Sequence, residues 1–171
     1  DVMNVLADNA NGTDTLGGAA ATIEDVTLAV NRAATPINGG PVPALNPATG
    51  LVDVPAGTPA GSYTIVYELC EELNPTNCDP ATITVGVDAA TITAEDDVVS
   101  GIDGLVGATD VMNVLTDNSN GTDKIGTVDA TTSNVAISVT TPATSVGGAP
   151  VPVLDPSDGS IDVPAGTPSG P

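Results

Sequence analysis

The carboxylates of this sequence occur in short clusters, and clustered carboxylates are typical ligands of hard divalent cations. One cluster is "AEDD" at residues 94–97, which follows a further aspartate at position 88. Two others are "DNANGTD" at residues 8–14 and "DNSNGTD" at residues 117–123, where a glycine permits a tight turn. The pattern predicts calcium as a candidate ligand. The predicted ligands are Glu95, Asp96, Asp97, Asp88, Asp117 and Asp123.

A second interpretation of the same clusters involves no metal. The two Asn/Asp/Gly segments lack the Asp-x-Asp-x-Asp-Gly register and the bidentate glutamate of a specific calcium loop. Asparagine, aspartate and glycine also favour ordinary turns, and charged side chains on a surface need no ligand. Both interpretations stay open. Residues 95–97 are the stronger calcium candidates, because a metal there would stiffen the junction between two domains.

The two cysteines, Cys70 and Cys78, flank the turn segment "EELNPTN" between two stretches of strand-like sequence. Cysteines on adjacent antiparallel strands across a short loop can meet the geometry of a disulfide bond. The alternative is a pair of free, buried thiols in an intracellular protein. We predict the disulfide. A thiolate metal site would need histidine or further cysteines, and the sequence has neither.

The composition argues against several classes of function. The sequence has twenty-two acidic and two basic residues, which gives a net charge of −20. Neither nucleic acid nor an anionic membrane is therefore an expected partner. With no histidine to act as a base and two tyrosines as the only aromatic residues, the sequence lacks the parts of common active sites. We therefore expect a protein that is not an enzyme. No apolar run reaches the roughly 18 residues of a membrane span, so no membrane insertion is expected.

Apolar residues alternate with polar ones along several short stretches, a pattern typical of half-buried antiparallel strands. The clearest cases are "SYTIVYELC" at residues 62–70 and "ATITVGV" at residues 81–87. Further strands are predicted at Val2–Leu6, Val26–Val30, Leu51–Val54 and Thr91–Ala94, with counterparts 109 residues later where the chain extends. No segment has the apolar spacing of a helix, so the sequence predicts an all-β fold.

The sequence repeats itself with an offset of 109 residues. "DVMNVLADNANGTD" begins at Asp1 and "DVMNVLTDNSNGTD" at Asp110, and 34 of the 62 aligned positions are identical without a gap. This period suits an immunoglobulin-like β-sandwich of roughly 100 residues. The expected domains are 1–88, a unit that lacks its first strand or strands, and 89–171, a unit that lacks its last strands and the cysteine hairpin. On this interpretation the sequence is a window on a tandem array.

The segment "PAGTPAGSYTIVYELCEELNPTNCDPATITVGV" resembles the closing strands of immunoglobulin-like repeats in the very large surface adhesins of gliding bacteria. The "AEDD…NVLTDN" opening of the second unit is similar to cadherin-like bacterial repeats. The resemblance implies tandem antiparallel sandwiches in a secreted, cell-surface protein with a role in adhesion or gliding motility. Its expected partners are neighbouring repeats, and a surface or glycan target would be bound through domains outside this segment.

Two further expectations follow. "DTL" at residues 14–16 resembles the O-glycosylation motif of the same bacterial group, which would place a sugar on Thr15; the counterpart "DKI" breaks the motif. The alternative to a stalk segment is a subunit of a self-assembling extracellular filament. In such a filament each chain would supply strands that its neighbour lacks, by β-strand complementation.

Overall fold

The computed structural model describes residues 1–7, 11–116 and 120–170. Contacts divide the chain into two compact units, unit 1 (Asp1–Ala89) and unit 2 (Ala90–Pro171). The described residues form antiparallel strands and no helices, which confirms the all-β prediction. Accordingly, no helix in the described ranges has the length and apolar character to span a membrane.

The described residues of unit 1 form eight strands in three antiparallel sheets. They are β1 (Met3–Asn4), β2 (Thr15–Leu16), β3 (Ala19–Ala20), β4 (Val26–Arg32), β5 (Ala44–Asn46), β6 (Leu51–Asp53), β7 (Gly61–Glu71) and β8 (Cys78–Val87). The sheet orders are β1-β6-β5, β4-β7-β8 and β2-β3. Prolines at positions 43 and 47 flank β5, which accordingly lies at the edge of its sheet, where a missing N–H is tolerated.

The β7–β8 hairpin is the longest regular element and places its alternate side chains in the core of unit 1. Tyr63, Ile65 and Tyr67 of β7 are buried, whereas the residues between them are only partly so. The two strands pair without a break from Gly61 opposite Val87 to Cys70 opposite Cys78. Residues that favour β-structure therefore occupy the face that the period-2 pattern predicts to be buried.

The core of unit 1 joins side chains from two of its sheets. Val26 and Leu28 of β4, together with the buried face of the β7–β8 hairpin, belong to the same apolar cluster as Leu45 of β5 and Val52 of β6. Tyr63 donates its hydroxyl to the carbonyl of Pro59 at 2.7 Å, so this ring is buried without leaving its polar atom unpaired. Two three-stranded sheets thus share one apolar core.

In unit 2, residues 90–116 and 120–170 form six strands in two antiparallel sheets. They are β9 (Ile92–Thr93), β10 (Ala108–Asn113), β11 (Lys124–Ile125), β12 (Val128–Asp129), β13 (Val153–Leu154) and β14 (Ser160–Val163). The sheet orders are β10-β14-β13 and β12-β11-β9. The buried apolar residues among the described part of this unit are few: Leu115, Ala130 and Val163.

Several turn hydrogen bonds occur in both units at residues 109 positions apart. The Val5 amide donates to Gly50 O, and the Val114 amide to Gly159 O. The amide of Ala21 donates to Asp14 O just as that of Ala130 does to Asp123 O, each at 2.8 Å. The side-chain oxygens of Asn4 and Asn113 each accept from the amide two residues on. The identical residues of the sequence repeat therefore make the same local turns.

One predicted strand is absent. We expected a counterpart of β4 at Val135–Val139, but this segment forms no strand in unit 2, although a turn leads into it as in unit 1. In unit 1, β4 is held by a ladder to β7, for example Leu28 opposite Leu69. No strand lies beside residues 135–139 in the described part of unit 2, so their backbone has no ladder to join.

Candidate functional sites

The disulfide predicted from the sequence is present and closes the β7–β8 hairpin. Cys70 and Cys78 are the last residue pair of the ladder, with an S–S distance of 2.04 Å and a Cα–Cα distance of 4.1 Å. Beyond them, the side-chain amides of Asn74 and Asn77 both donate to the carboxylate of Glu71. The turn is thus held at its base by a covalent bond and within by charge-assisted hydrogen bonds. Such a disulfide is typical of proteins in oxidising compartments.

The one group of potential metal ligands that converges among the described residues also lies at this disulfide. Ligand atoms of Glu68, Cys70 and Cys78 lie within 4.8 Å of one another. Both sulfurs are bonded to each other, so neither offers the thiolate that a metal would require. The chemistry of this site is that of a covalent crosslink.

The candidate calcium ligands occupy several places in the fold. Asp88 follows β8 in unit 1, whereas Glu95, Asp96 and Asp97 follow β9 in unit 2. The backbone amide of Glu95 donates to the Asp123 carboxylate at 2.8 Å, and the Asn120 side chain donates to the backbone carbonyl of Asp96. These bonds anchor the segment after β9 to the loop before β11. Asp117 lies outside the described residues, as do residues 8–10 of the first Asn/Asp/Gly segment.

The calcium interpretation remains a prediction. In the described ranges, the carboxylates of residues 95–97 and Asp123 do not form a convergent group of three. The hydrogen bonds from Glu95 to Asp123 and from Asn120 to Asp96 are of the kind found in turns.

Asp14 has a structural contact that the sequence did not predict. The Tyr67 hydroxyl donates to its carboxylate at 2.7 Å, across 53 residues of sequence. Burial, together with this hydrogen bond and the neighbouring negative charge, raises the pKa of the Tyr67 hydroxyl above its ordinary value. The bond ties the loop before β2 to the central strand β7. The sequence gives one indication of such a contact. A tyrosine on the buried face of a predicted strand needs a hydrogen-bond partner for its hydroxyl group.

Thr15, the predicted glycosylation site, is an exposed residue of β2 and pairs with Ala20 of β3. Its modification stays a prediction, as does the absence of enzyme activity.

A shallow open hollow in unit 1 is lined by Arg32, Thr35, Ser62, Tyr63 and Thr64. Its residues include no pair of a nucleophile with a base.

No family model, no curated protein and no solved structure matches the chain.

Proposed function

We propose that this chain is a segment of a repetitive extracellular adhesin or surface filament, built from immunoglobulin-like sandwiches with a period of 109 residues. The observation that carries the proposal is the recurrence of the same turns at equivalent positions of the two units. The backbone hydrogen bonds from Val5 to Gly50 and from Val114 to Gly159 are 2.8 and 2.9 Å long. The hydrogen bonds to the carbonyl oxygens of Asp14 and Asp123 are both 2.8 Å long. Repetition of architecture suits a structural array better than a single binding or catalytic site.

The sheets of unit 1 support the sandwich interpretation. The β1-β6-β5 and β4-β7-β8 sheets contribute to one shared core, as the two layers of an antiparallel sandwich do. The β2–β3 hairpin pairs Thr15 with Ala20, and β11–β12 pairs Lys124 with Asp129, at equivalent residues. The two units thus contain the same short hairpin at equivalent positions of the repeat.

Surface charge and the disulfide support an extracellular location. A net charge of −20 keeps such a chain soluble and opposes adhesion between its own copies. The disulfide-closed hairpin is the kind of crosslink that persists outside the reducing cytosol. The resemblance to repeats of gliding-bacterial adhesins points to adhesion or gliding motility as the process, with the repeats acting as a stalk.

The experiment is immunoblotting of intact cells of the source organism with an antibody against this chain, before and after external protease treatment. We expect a band much larger than 16.6 kDa that disappears when intact cells are shaved. An antibody against a cytosolic enzyme of the same cells serves as the control for lysis. A band that survives shaving while purified protein is degraded would contradict the extracellular assignment, and a band near 16.6 kDa would contradict the array.

A further inference from the structure

Unit 2 presents an apolar surface whose counterpart in unit 1 is covered by the β7–β8 hairpin. Five apolar residues that are buried in unit 1 have counterparts in unit 2 that are only half-buried. The pairs are Val5 and Val114, Val26 and Val135, Leu28 and Ile137, Leu45 and Leu154, and Val52 and Ile161. By contrast, Leu115 and Ala130 are as buried as Leu6 and Ala21. Burial is therefore lost at some core positions of the repeat and kept at others.

Val135 and Ile137 make local contacts equivalent to those of Val26 and Leu28 of β4 in unit 1. The amide of Val135 donates to Thr131 O at 3.0 Å, as that of Val26 does to Thr22 O at 3.1 Å. The Cδ1 atom of Ile137 is 3.2 Å from the position that a β-carbon on Gly159 would take. The corresponding distance from Leu28 Cδ1 to such a position on Gly50 is 3.6 Å. Ile137 thus packs against the turn at Gly159 as Leu28 packs against the turn at Gly50, but no strand pairs with residues 135–139 in the described part of unit 2.

We infer that this surface is a docking site for a β-hairpin with the residue pattern of β7–β8. The incoming first strand would pair antiparallel with residues 135–139 in the register that β7 uses on β4. In that register Ile137 lies opposite the residue equivalent to Leu69, and Val139 opposite the one equivalent to Tyr67. The buried face of the hairpin, represented by Tyr63, Ile65 and Tyr67, would cover the half-buried residues.

Asp123 would give the docked hairpin a specific polar contact. It is the repeat counterpart of Asp14, which accepts the Tyr67 hydroxyl in unit 1. In unit 2 the Asp123 carboxylate accepts the Glu95 amide, and a carboxylate can accept on both of its oxygens. One side chain would then join the segment after β9 to the incoming strand. This inference depends on the correspondence of the two units and holds whether or not the protein is an adhesin.

The test appends residues 62–87 after Gly170 of the full chain, so that Ser62 replaces Pro171 and the offset of 109 continues into the hairpin. Amide exchange is measured by NMR in the extended and the unextended chain. We expect the exchange of amides in residues 135–139 to slow by at least about tenfold on extension, as happens when amides join a ladder. Unchanged exchange there would overturn the inference.

Matched variants within the appended copy separate docking from a general effect of added chain. Ile83→Asp places a charge on the buried face of the hairpin, whereas Thr84→Asp places the same charge on the adjacent exposed position. We expect the first variant to abolish the protection of residues 135–139 and the second to keep it. Equal behaviour of the two variants would count against a docked hairpin. Protection of the unextended chain that grows with its concentration would point to a second copy as the occupant and also overturn the inference.

A third arm uses the oxidised peptide of residues 61–87 with isotope-labelled full chain. The peptide carries Glu68, Glu71, Glu72 and Asp79 and no basic residue, while unit 2 is itself acidic. Long-range charge opposes this association, so added sodium chloride should tighten binding by screening. Binding that weakens as salt is added would show a contact driven by charge and refute docking through apolar surface.

Discussion

Removal of the Cys70–Cys78 disulfide should destabilise unit 1 by an amount that the short loop limits. The bond joins residues eight positions apart. The chain-entropy relation for a loop of this size gives about 2.5 kcal/mol at 25 °C. The sulfur atoms add little through burial, because Cys78 is exposed and Cys70 only half-buried. We therefore expect the double variant Cys70→Ser/Cys78→Ser to lose about 2.5 kcal/mol of unfolding free energy.

Tyrosine fluorescence measures this loss in unit 1 alone. Tyr63 and Tyr67 are the only aromatic residues of the chain, and both lie in the buried face of β7. Urea unfolding followed by their emission should show the midpoint falling by about 2 M, for a slope of about 1.2 kcal/mol/M in a unit of this size. In thermal unfolding the corresponding shift is about 10–20 °C.

The control is the wild-type chain reduced with a phosphine, which should unfold at the midpoint of the double variant. A loss below about 0.5 kcal/mol would refute the entropy argument, because it would mean that the unfolded chain keeps the two cysteines together without the bond. A loss above about 5 kcal/mol would show that the hairpin needs the crosslink in order to form at all.

Three other predictions follow from contacts in the two units. Tyr67→Phe should cost about 1.5 kcal/mol by removing the hydrogen bond to the Asp14 carboxylate, more than Tyr63→Phe, whose partner is a neutral carbonyl; urea unfolding followed by the remaining tyrosine compares them. Folding raises the pKa of the Tyr67 hydroxyl, so the protonated hydroxyl stabilises the folded state relative to the unfolded one. This contribution to the free energy of unfolding is complete below the unfolded pKa near 10 and is lost as the pH rises above that value. Far-ultraviolet circular dichroism should show this loss in the wild type and a weaker pH dependence in Tyr67→Phe. Gly107→Ala should destabilise unit 2 far more than Gly147→Ala: both have positive φ, but only at Gly107 would the new carbon meet backbone, 2.5 Å from Val163 O. Amide exchange in β10 and β14 measures the difference, and equal effects would refute the clash argument.

Local pattern predicted much of unit 1. Alternation in residues 62–70 and 81–87 predicted the two long strands, and their separation predicted the disulfide between Cys70 and Cys78. These inferences succeed because a hairpin is a local structure, in which period and loop length determine pairing. Alternating apolar and polar residues identify the buried face of a strand without knowledge of the rest of the fold.

Pairing between distant segments was not predictable in the same way. Residues 135–139 have the same alternation as β4, yet they form no ladder, because a strand requires a partner as well as a pattern. Likewise, Asp14 was interpreted within its own Asn/Asp/Gly segment, whereas its carboxylate accepts from Tyr67, 53 residues away. Sequence patterns describe what a residue favours, while the neighbour that it meets depends on the assembled sheets.

The position of the disulfide at the end of the β7–β8 ladder has a mechanical consequence. A force transmitted along the backbone crosses from Cys70 to Cys78 through the sulfur atoms, so the seven turn residues 71–77 carry no tension. When unit 1 is stretched fully, the crosslink shortens its extended length by roughly 2 nm, given eight residue steps of about 3.4 Å less the 4.1 Å between the two α-carbons. Reduction would release that length, so the redox state of one bond determines how far this unit can extend under tension.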